Sequence, residues 1–113
     1  MLNEEIKFDS IESAIEDFKQ GKPLIVADDT SRENEGDLIC SAQYATPDVI
    51  NFMTKMARGL VCLAISDDIA EKLELPQMVE QNTEQMKTAF TLSIDASEKY
   101  GVTTGISAFD RAK

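Results

Sequence analysis

Apolar residues recur at helical spacing near the start of the chain. Residues 11, 14, 15 and 18 fall on one helical face and predict a helix. Asp9 and Ser10 are alternative caps for its beginning. Gly21 suits the position just after its last turn, and Pro23 prevents continuation.

Two short apolar runs then predict a hairpin. Residues 24–27 are expected to form a buried strand, and residues 38–42 the next strand. Between them lies a strongly charged segment, residues 28–37. Two strands joined by such a segment form a plausible strand–loop–strand unit.

The middle of the chain alternates between helical and strand-like patterns. Thr46 and Pro47 predict the start of a helix that runs through Met56. The continuous apolar run at residues 60–65 predicts a central strand that is buried on both faces. Ser66 is expected to cap a short helix over residues 67–73.

The last third is more polar. Residues 77–87 predict a surface excursion and residues 89–94 a fourth strand. Ser107 and Asp110 match the cap and third position of a final helix. Because the sequence stops at Lys113, one turn into that helix, we expect the chain to be part of a larger domain.

Composition restricts the class of protein. With 42% hydrophobic and 28% charged residues, the chain is typical of a soluble globular protein. Its net charge of -10 disfavours partners such as nucleic acid or anionic membranes. No apolar run approaches the roughly 20 residues that span a bilayer, and the acidic N-terminus lacks a signal sequence, so we expect a cytoplasmic protein.

The sequence also limits the available chemistry. It contains no histidine, so acid–base chemistry confined to this chain must use carboxylates, Lys, Tyr, Cys or metal-bound water. Cys40 and Cys62 sit in apolar runs and are interpreted as reduced core residues rather than a disulfide.

The charged segment is the candidate site. Residues 28–37 hold five carboxylates, one arginine and one glycine, which is compatible with a divalent-metal and anion site or with a solvated acidic loop. If the segment is extended, Glu33, Glu35 and Asp37 point to one side and repel one another unless a cation neutralises them. An EF-hand is excluded, because the glutamate expected at its last position is missing.

Residues 28–38 resemble the D-D-x-x-R-E-N-E-G-D signature of 3,4-dihydroxy-2-butanone-4-phosphate synthases. Similar blocks follow in the family's order at residues 59–63, 75–79, 90–91 and 101–111. The resemblance implies an α/β (α+β) fold, a three-layer sandwich in which a mixed β-sheet lies between helices. Residues 1–113 would be the N-terminal portion of a single such domain.

The same resemblance implies an activity. Members convert D-ribulose 5-phosphate, a sugar phosphate, into 3,4-dihydroxy-2-butanone 4-phosphate and formate. They require Mg2+ or Mn2+ and work as homodimers, in many bacteria fused to a GTP cyclohydrolase II domain. The matched positions imply Glu33 as metal ligand, catalytic roles for Glu33, Glu35 and Asp37, and substrate contacts by Arg32, Glu33, Asp37, Cys62 and Thr104.

Alternatives stay open at this point. The family uses a histidine and a later glutamate that have no counterpart here, so we expect little turnover from this chain alone. It could instead be a non-catalytic folding or interaction module, a pseudo-enzyme, or an unrelated metal-binding regulatory protein. Cys62 is equally compatible with a core position, and the pattern around Thr103 and Thr104 favours a turn. An incomplete sheet would leave an open edge, so we expect association rather than a monomer.

Overall fold

A computed structural model describes residues 7–113 of the chain. The acidic segment at residues 1–6, on which the expectation about a signal sequence depends, lies outside the described residues. Contacts divide the chain into two compact units, which are described separately. The first runs to Val61 and includes Ala112, and the second comprises Cys62–Arg111 with Lys113.

The first unit begins with the predicted helix, α1 (Ile11–Lys19). Ser10 is its cap, because the Ser10 hydroxyl accepts a hydrogen bond from the Ser13 N–H at 3.2 Å. The helix ends before Gly21, whose φ of 79° is the left-handed conformation expected there. The predicted apolar face is present, although Ile15 on that face remains half exposed.

The predicted hairpin is also present. Strand β1 (Leu24–Ala27) pairs antiparallel with β2 (Gly36–Ile39). The second strand begins earlier than predicted and ends at Ile39, because the first two residues of β2 pair with the last two of β1. The prediction that β1 is buried is wrong: Ile25 is 80% exposed, since a two-stranded sheet cannot cover its own faces.

After a 3-10 turn at Ala42–Tyr44, the first unit continues with α2 (Pro47–Phe52). The Thr46 hydroxyl accepts from the Val49 N–H at 3.3 Å, which confirms the predicted cap. The helix then widens into a π-helix at Met53–Ala57. Within the described part of this unit, Ile50 is the only buried hydrophobic residue.

In the second unit, α3 (Asp67–Lys72) is capped by Ser66 as predicted. The final helix, α4 (Ala108–Ala112), begins at Ser107, whose hydroxyl accepts from the Asp110 N–H at 3.0 Å. Residues 77–87 form the predicted surface excursion and are mostly exposed. No helix in residues 7–113 is long and apolar enough to cross a membrane.

Two predicted strands are wrong. Residues 60–65 form no strand, and Leu63 is 69% exposed instead of buried on a central strand. In place of the fourth strand, residues 89–94 contribute a single antiparallel bridge between Thr91 and Gln77. A strand exists only when a neighbour pairs with its backbone, and within residues 7–113 these two segments find no ladder to join.

Candidate active site

The charged segment forms the closed end of the hairpin in the first unit. The Asp28 N–H donates to the Glu35 carbonyl at 2.8 Å, directly beyond the paired strands. Inside this closure, a turn is held by the Arg32 N–H, which donates to the Asp29 carbonyl at 3.0 Å. Asn34 adopts a left-handed φ of 53°, a conformation that asparagine tolerates better than most residues, and returns the chain to β2.

The Asp28 carboxylate organises this turn. Its Oδ1 accepts from the Asp29 N–H at 2.9 Å, and its Oδ2 accepts from the Glu33 N–H at 3.0 Å and from Arg32 Nη1 at 2.8 Å. The hydrogen bond from Glu33 is the main cause that lowers the pKa of Asp28, and Arg32 lowers the pKa further. The ionised carboxylate therefore fixes the backbone of Glu33 and the side chain of Arg32 together.

Sequence reasoning gave Asp28 no role of its own. The available signal was an aspartate directly after a strand and before a turn, where its side chain can accept backbone hydrogen bonds. The Asp29 side chain likewise accepts hydrogen bonds from a nearby residue of the turn. It accepts from the Ser31 hydroxyl and from the Ser31 N–H, and both bonds lower the pKa of Asp29.

Arg32 provides the positive charge of the loop. Besides the contact with Asp28, its Nη2 lies 3.6 Å from Glu33 Oε1. Asp28 first, and then Glu33 and Asp37, raise the pKa of Arg32. About half of the Arg32 side chain is exposed. A guanidinium has five N–H donors, so donors remain for an anion or a hydroxyl group.

The three predicted catalytic carboxylates do not lie on one continuous strand. The condition for their pointing to one side, an extended segment, is not met, because residues 30–33 form the turn and only Asp37 lies in a strand, opposite Val26. Glu33, Glu35 and Asp37 are all exposed. In the described part of the chain, no group of three or more Asp, Glu, His or Cys side chains is placed to hold one metal ion.

The donor chemistry nevertheless fits part of a magnesium site. Mg2+ prefers hard oxygen ligands and is commonly held by one or two carboxylates, with water and substrate oxygens completing the set. Glu33 offers an exposed carboxylate whose backbone is fixed by Asp28 and whose side chain lies beside Arg32. It suits the position of a single carboxylate ligand.

The two remaining predicted site residues belong to the second unit. Cys62 is exposed, contrary to the core interpretation, whereas Cys40 in the first unit is half-buried. Thr104 is also exposed and lies in the turn before α4. The turn interpretation holds for its neighbour Thr103, because the Thr103 hydroxyl donates to Asp110 Oδ2 at 2.8 Å.

Asp110 was predicted only as the third residue of the final helix, and its side chain also binds the preceding loop. Asp110 is 8% exposed. Its Oδ1 accepts from the Thr103 N–H at 3.1 Å, and its Oδ2 also accepts from the Gly105 N–H at 3.0 Å. The Thr103 hydroxyl is the main cause that lowers the pKa of Asp110. The carboxylate thus accepts hydrogen bonds from the loop that precedes its own helix.

Comparison with known proteins gives one consistent family. The sequence profile of 3,4-dihydroxy-2-butanone 4-phosphate synthase matches residues 12–113. The riboflavin biosynthesis protein RibBA of Synechocystis sp. is 58% identical over 106 residues, which cover 94% of this chain and 19% of that protein. A 3,4-dihydroxy-2-butanone 4-phosphate synthase of Campylobacter jejuni is 50% identical, with 94% of this chain and 30% of that protein covered.

Solved structures agree with the sequence relatives. A 3,4-dihydroxy-2-butanone 4-phosphate synthase in complex with two magnesium ions matches with a TM-score of 0.87 and 46% identity, over 93% of this chain and 48% of that one. A cation-free form matches with a TM-score of 0.81 and 43% identity, over 94% and 47% of the two chains. These matches confirm the predicted α+β class. The chain thus spans less than half the length of each of these four proteins.

Proposed function

Since the chain belongs to the 3,4-dihydroxy-2-butanone 4-phosphate synthase family, we propose that the protein of which it forms part converts D-ribulose 5-phosphate into 3,4-dihydroxy-2-butanone 4-phosphate and formate. The enzyme would be a lyase of riboflavin biosynthesis. The family relationship leaves no room for the third interpretation, an unrelated metal-binding regulatory protein.

One observation carries the proposal. In a chain that matches a magnesium-bound synthase at 46% identity, the Asp28 carboxylate binds both the backbone of Glu33 and the guanidinium of Arg32. The residues expected to contact metal and substrate are therefore held side by side at the exposed end of the hairpin. A surface loop that served only for solubility would need no such shared anchor.

The loop residues suit the proposed chemistry. Removing a proton beside a carbonyl requires a base, and the exposed carboxylates of Glu33, Glu35 and Asp37 can accept and return protons. The fixed guanidinium of Arg32 can orient an oxygen-rich anion. Glu33 is the proposed metal ligand. A bound Mg2+ or Mn2+ would supply Lewis acidity toward neighbouring oxygens of the substrate.

We further propose that this chain alone supplies only part of the active site. Residues 7–113 place no group of three or more Asp, Glu, His or Cys side chains around one position, and the sequence has no histidine. A polypeptide continued to the length of the relatives would provide the remaining ligands. A non-catalytic module therefore remains the alternative function of the isolated chain.

The partners are proposed on physical grounds. The exposed apolar side chains of the hairpin suit a homodimer or another protein surface. The charge of -10 argues against nucleic acid and anionic membranes. A cytoplasmic location is in keeping with the free, half-buried thiol of Cys40, which a reducing compartment preserves.

The direct test is formate release from D-ribulose 5-phosphate in the presence of Mg2+. The chain and its continuation to the length of the relatives are assayed together. We expect activity only in the longer protein, where Glu33→Gln should reduce turnover by at least about a hundredfold. Glu16→Gln, the same exchange at an exposed position of α1, is the matched control and should leave turnover unchanged.

The outcomes separate the alternatives. Activity in the chain alone would contradict the incomplete-site proposal. An active longer protein that tolerates Glu33→Gln would remove the metal-ligand role from that residue. A longer protein that folds but produces no formate with Mg2+ or Mn2+ would replace the enzyme proposal with the pseudo-enzyme.

A further inference from the structure

We propose that Asp110 is a positioning residue, which holds the backbone on both sides of Thr104 and thereby sets where the Thr104 hydroxyl meets the substrate. This inference rests on the proposed function and on the substrate contact that the family resemblance implies for Thr104. The role is distinct from catalysis, because Asp110 acts through its neighbours in the loop and needs no contact with the reacting atoms.

The hydrogen bonds of Asp110 bracket Thr104. On one side, the Thr103 N–H and hydroxyl donate to Oδ1 and Oδ2 at 3.1 and 2.8 Å. On the other side, the Gly105 N–H donates to Oδ2 at 3.0 Å. One carboxylate thus binds residues 103 and 105, which flank Thr104, and it holds the peptide group between Thr104 and Gly105 directly.

The carboxylate itself is well anchored. Asp110 is 8% exposed, and its N–H donates to the Ser107 hydroxyl at the start of α4. None of the ion pairs found in residues 7–113 involves Asp110. A buried carboxylate is costly unless it is hydrogen-bonded, so the donors that satisfy this charge are those of the 103–105 loop. The loop and the charge consequently stabilise each other.

Thr104 is left available by this arrangement. Its side chain is exposed, and within residues 7–113 its hydroxyl has no hydrogen-bond partner. The neighbouring Thr103 hydroxyl, by contrast, donates its hydrogen bond to Asp110. Of the two adjacent threonines, the structure therefore assigns the holding role to Thr103 and the presented hydroxyl to Thr104.

The test is a double-mutant cycle in the longer protein that carries this chain. Asp110→Asn keeps the size of the side chain but replaces one acceptor oxygen with a donor NH2 group. We expect it to lower kcat/KM about tenfold or more, chiefly through KM. In a Thr104→Val background, the same substitution should change kcat/KM less than about threefold, because the positioned group is already gone.

Backbone amide hydrogen exchange in the same protein reports on the hydrogen bonds from the Thr103 and Gly105 amides to Asp110, independently of turnover. Asp110→Asn should accelerate exchange at Thr103 and Gly105 at least about tenfold. Asp67→Asn, at the exposed start of α3, should not change either rate. If Asp110→Asn does not fold, Thr103→Val removes the hydroxyl donor while keeping the carboxylate, and Thr103→Ser should restore the wild-type kinetics.

The results separate three cases. Unchanged exchange at both amides would show that Asp110 does not hold the backbone of Thr103 and Gly105. Faster exchange with equal kinetic losses in both backgrounds would reduce Asp110 to a structural residue and overturn its positioning role. Absence of formate production in the wild-type protein would reject the proposed function and the positioning role with it, while the exchange rates still report on the hydrogen bonds.

Discussion

At the scale of single residues, two aspartates organise the two loops of interest in the same manner. Asp28 accepts from the backbone of Asp29 and Glu33, and Asp110 accepts from the backbone of Thr103 and Gly105. In both, hydrogen bonds that favour the charged form lower the pKa. Each loop therefore depends on one carboxylate that remains ionised near neutral pH.

The hydrogen bonds of Asp28 predict a pH dependence of the hairpin loop. Because the folded pKa of Asp28 lies below its ordinary value of 3.8, its stabilising contribution is present above that value and is lost as the pH falls through the lowered pKa. The Glu33 amide resonance, followed by NMR, should titrate with a midpoint below 3.8. Asp28→Asn should abolish this titration.

Asp48→Asn at the start of α2 serves as the control for that titration, since Asp48 is exposed and belongs to another element. The Glu33 amide should titrate in this variant as it does in the wild type. A midpoint at or above the ordinary value, or an Asp28→Asn variant that still titrates, would show that Asp28 does not hold the turn.

The identities of the expected site residues could be obtained from the sequence, but their geometry could not. The motif pointed to Arg32, Glu33 and Asp37, whereas the sequence left open whether the segment is extended, and the structure has a turn at residues 30–33. The turn depends on which backbone groups Asp28 reaches. Alternating side-chain directions apply to a strand and fail once the chain turns.

At the scale of elements, helices were predicted better than strands for a physical reason. A helix satisfies most of its own backbone hydrogen bonds, and its caps lie within a few residues, so Thr46, Ser66 and Ser107 were sufficient signals. For α1 the sequence left Asp9 and Ser10 as alternatives, and the structure shows Ser10. A strand depends on a neighbour that can be distant in sequence. Residues 24–27 found one across the hairpin, and residues 60–65 did not.

The junction between α1 and β1 gives a prediction about two glycines with similar backbones. Gly21 and Gly59 both have positive φ, 79° and 62°. A Cβ on Gly21 would lie 2.6 Å from Tyr44 Cγ and 2.9 Å from Tyr44 Cβ, whereas a Cβ on Gly59 would meet nothing within 4 Å. Alanine at either position would be strained by the left-handed backbone conformation. Only Gly21→Ala would also clash with Tyr44.

We expect Gly59→Ala to cost roughly 1–2 kcal/mol of unfolding free energy from backbone strain. Gly21→Ala should cost about 1–3 kcal/mol more, as overpacking does. Urea titration of both variants, followed by circular dichroism, measures the difference. Equal losses would mean that Tyr44 moves away without cost and that the contact does not fix the junction.

At the scale of the whole molecule, apolar side chains far outnumber the buried positions. Among residues 7–113, the buried hydrophobic residues are Ile50 and Val102. Many large hydrophobic side chains are strongly exposed, including Phe8, Ile25, Leu60, Ile106 and Phe109. We expect apolar surface of this extent to be covered by other protein.

The chain alone should therefore self-associate. Its sedimentation coefficient is expected to rise with concentration, and Ile25→Lys should weaken that rise because Ile25 is 80% exposed on the hairpin. Gln43→Lys, which adds the same charge at an exposed polar position of the first unit, is the matched control. A single monomeric species at every concentration, in the wild type and both variants, would contradict the prediction.

The local nature of the hairpin loop has a consequence for the order of events during protein synthesis. The side-chain bonds of Asp28 span at most five residues, and the closing bond to Glu35 joins positions seven apart. Closing a loop of about ten residues takes only about 10–100 ns, whereas a ribosome adds roughly 5–20 residues per second. Arg32 and Glu33 can thus meet Asp28 soon after β2 leaves the exit tunnel, long before later segments are translated.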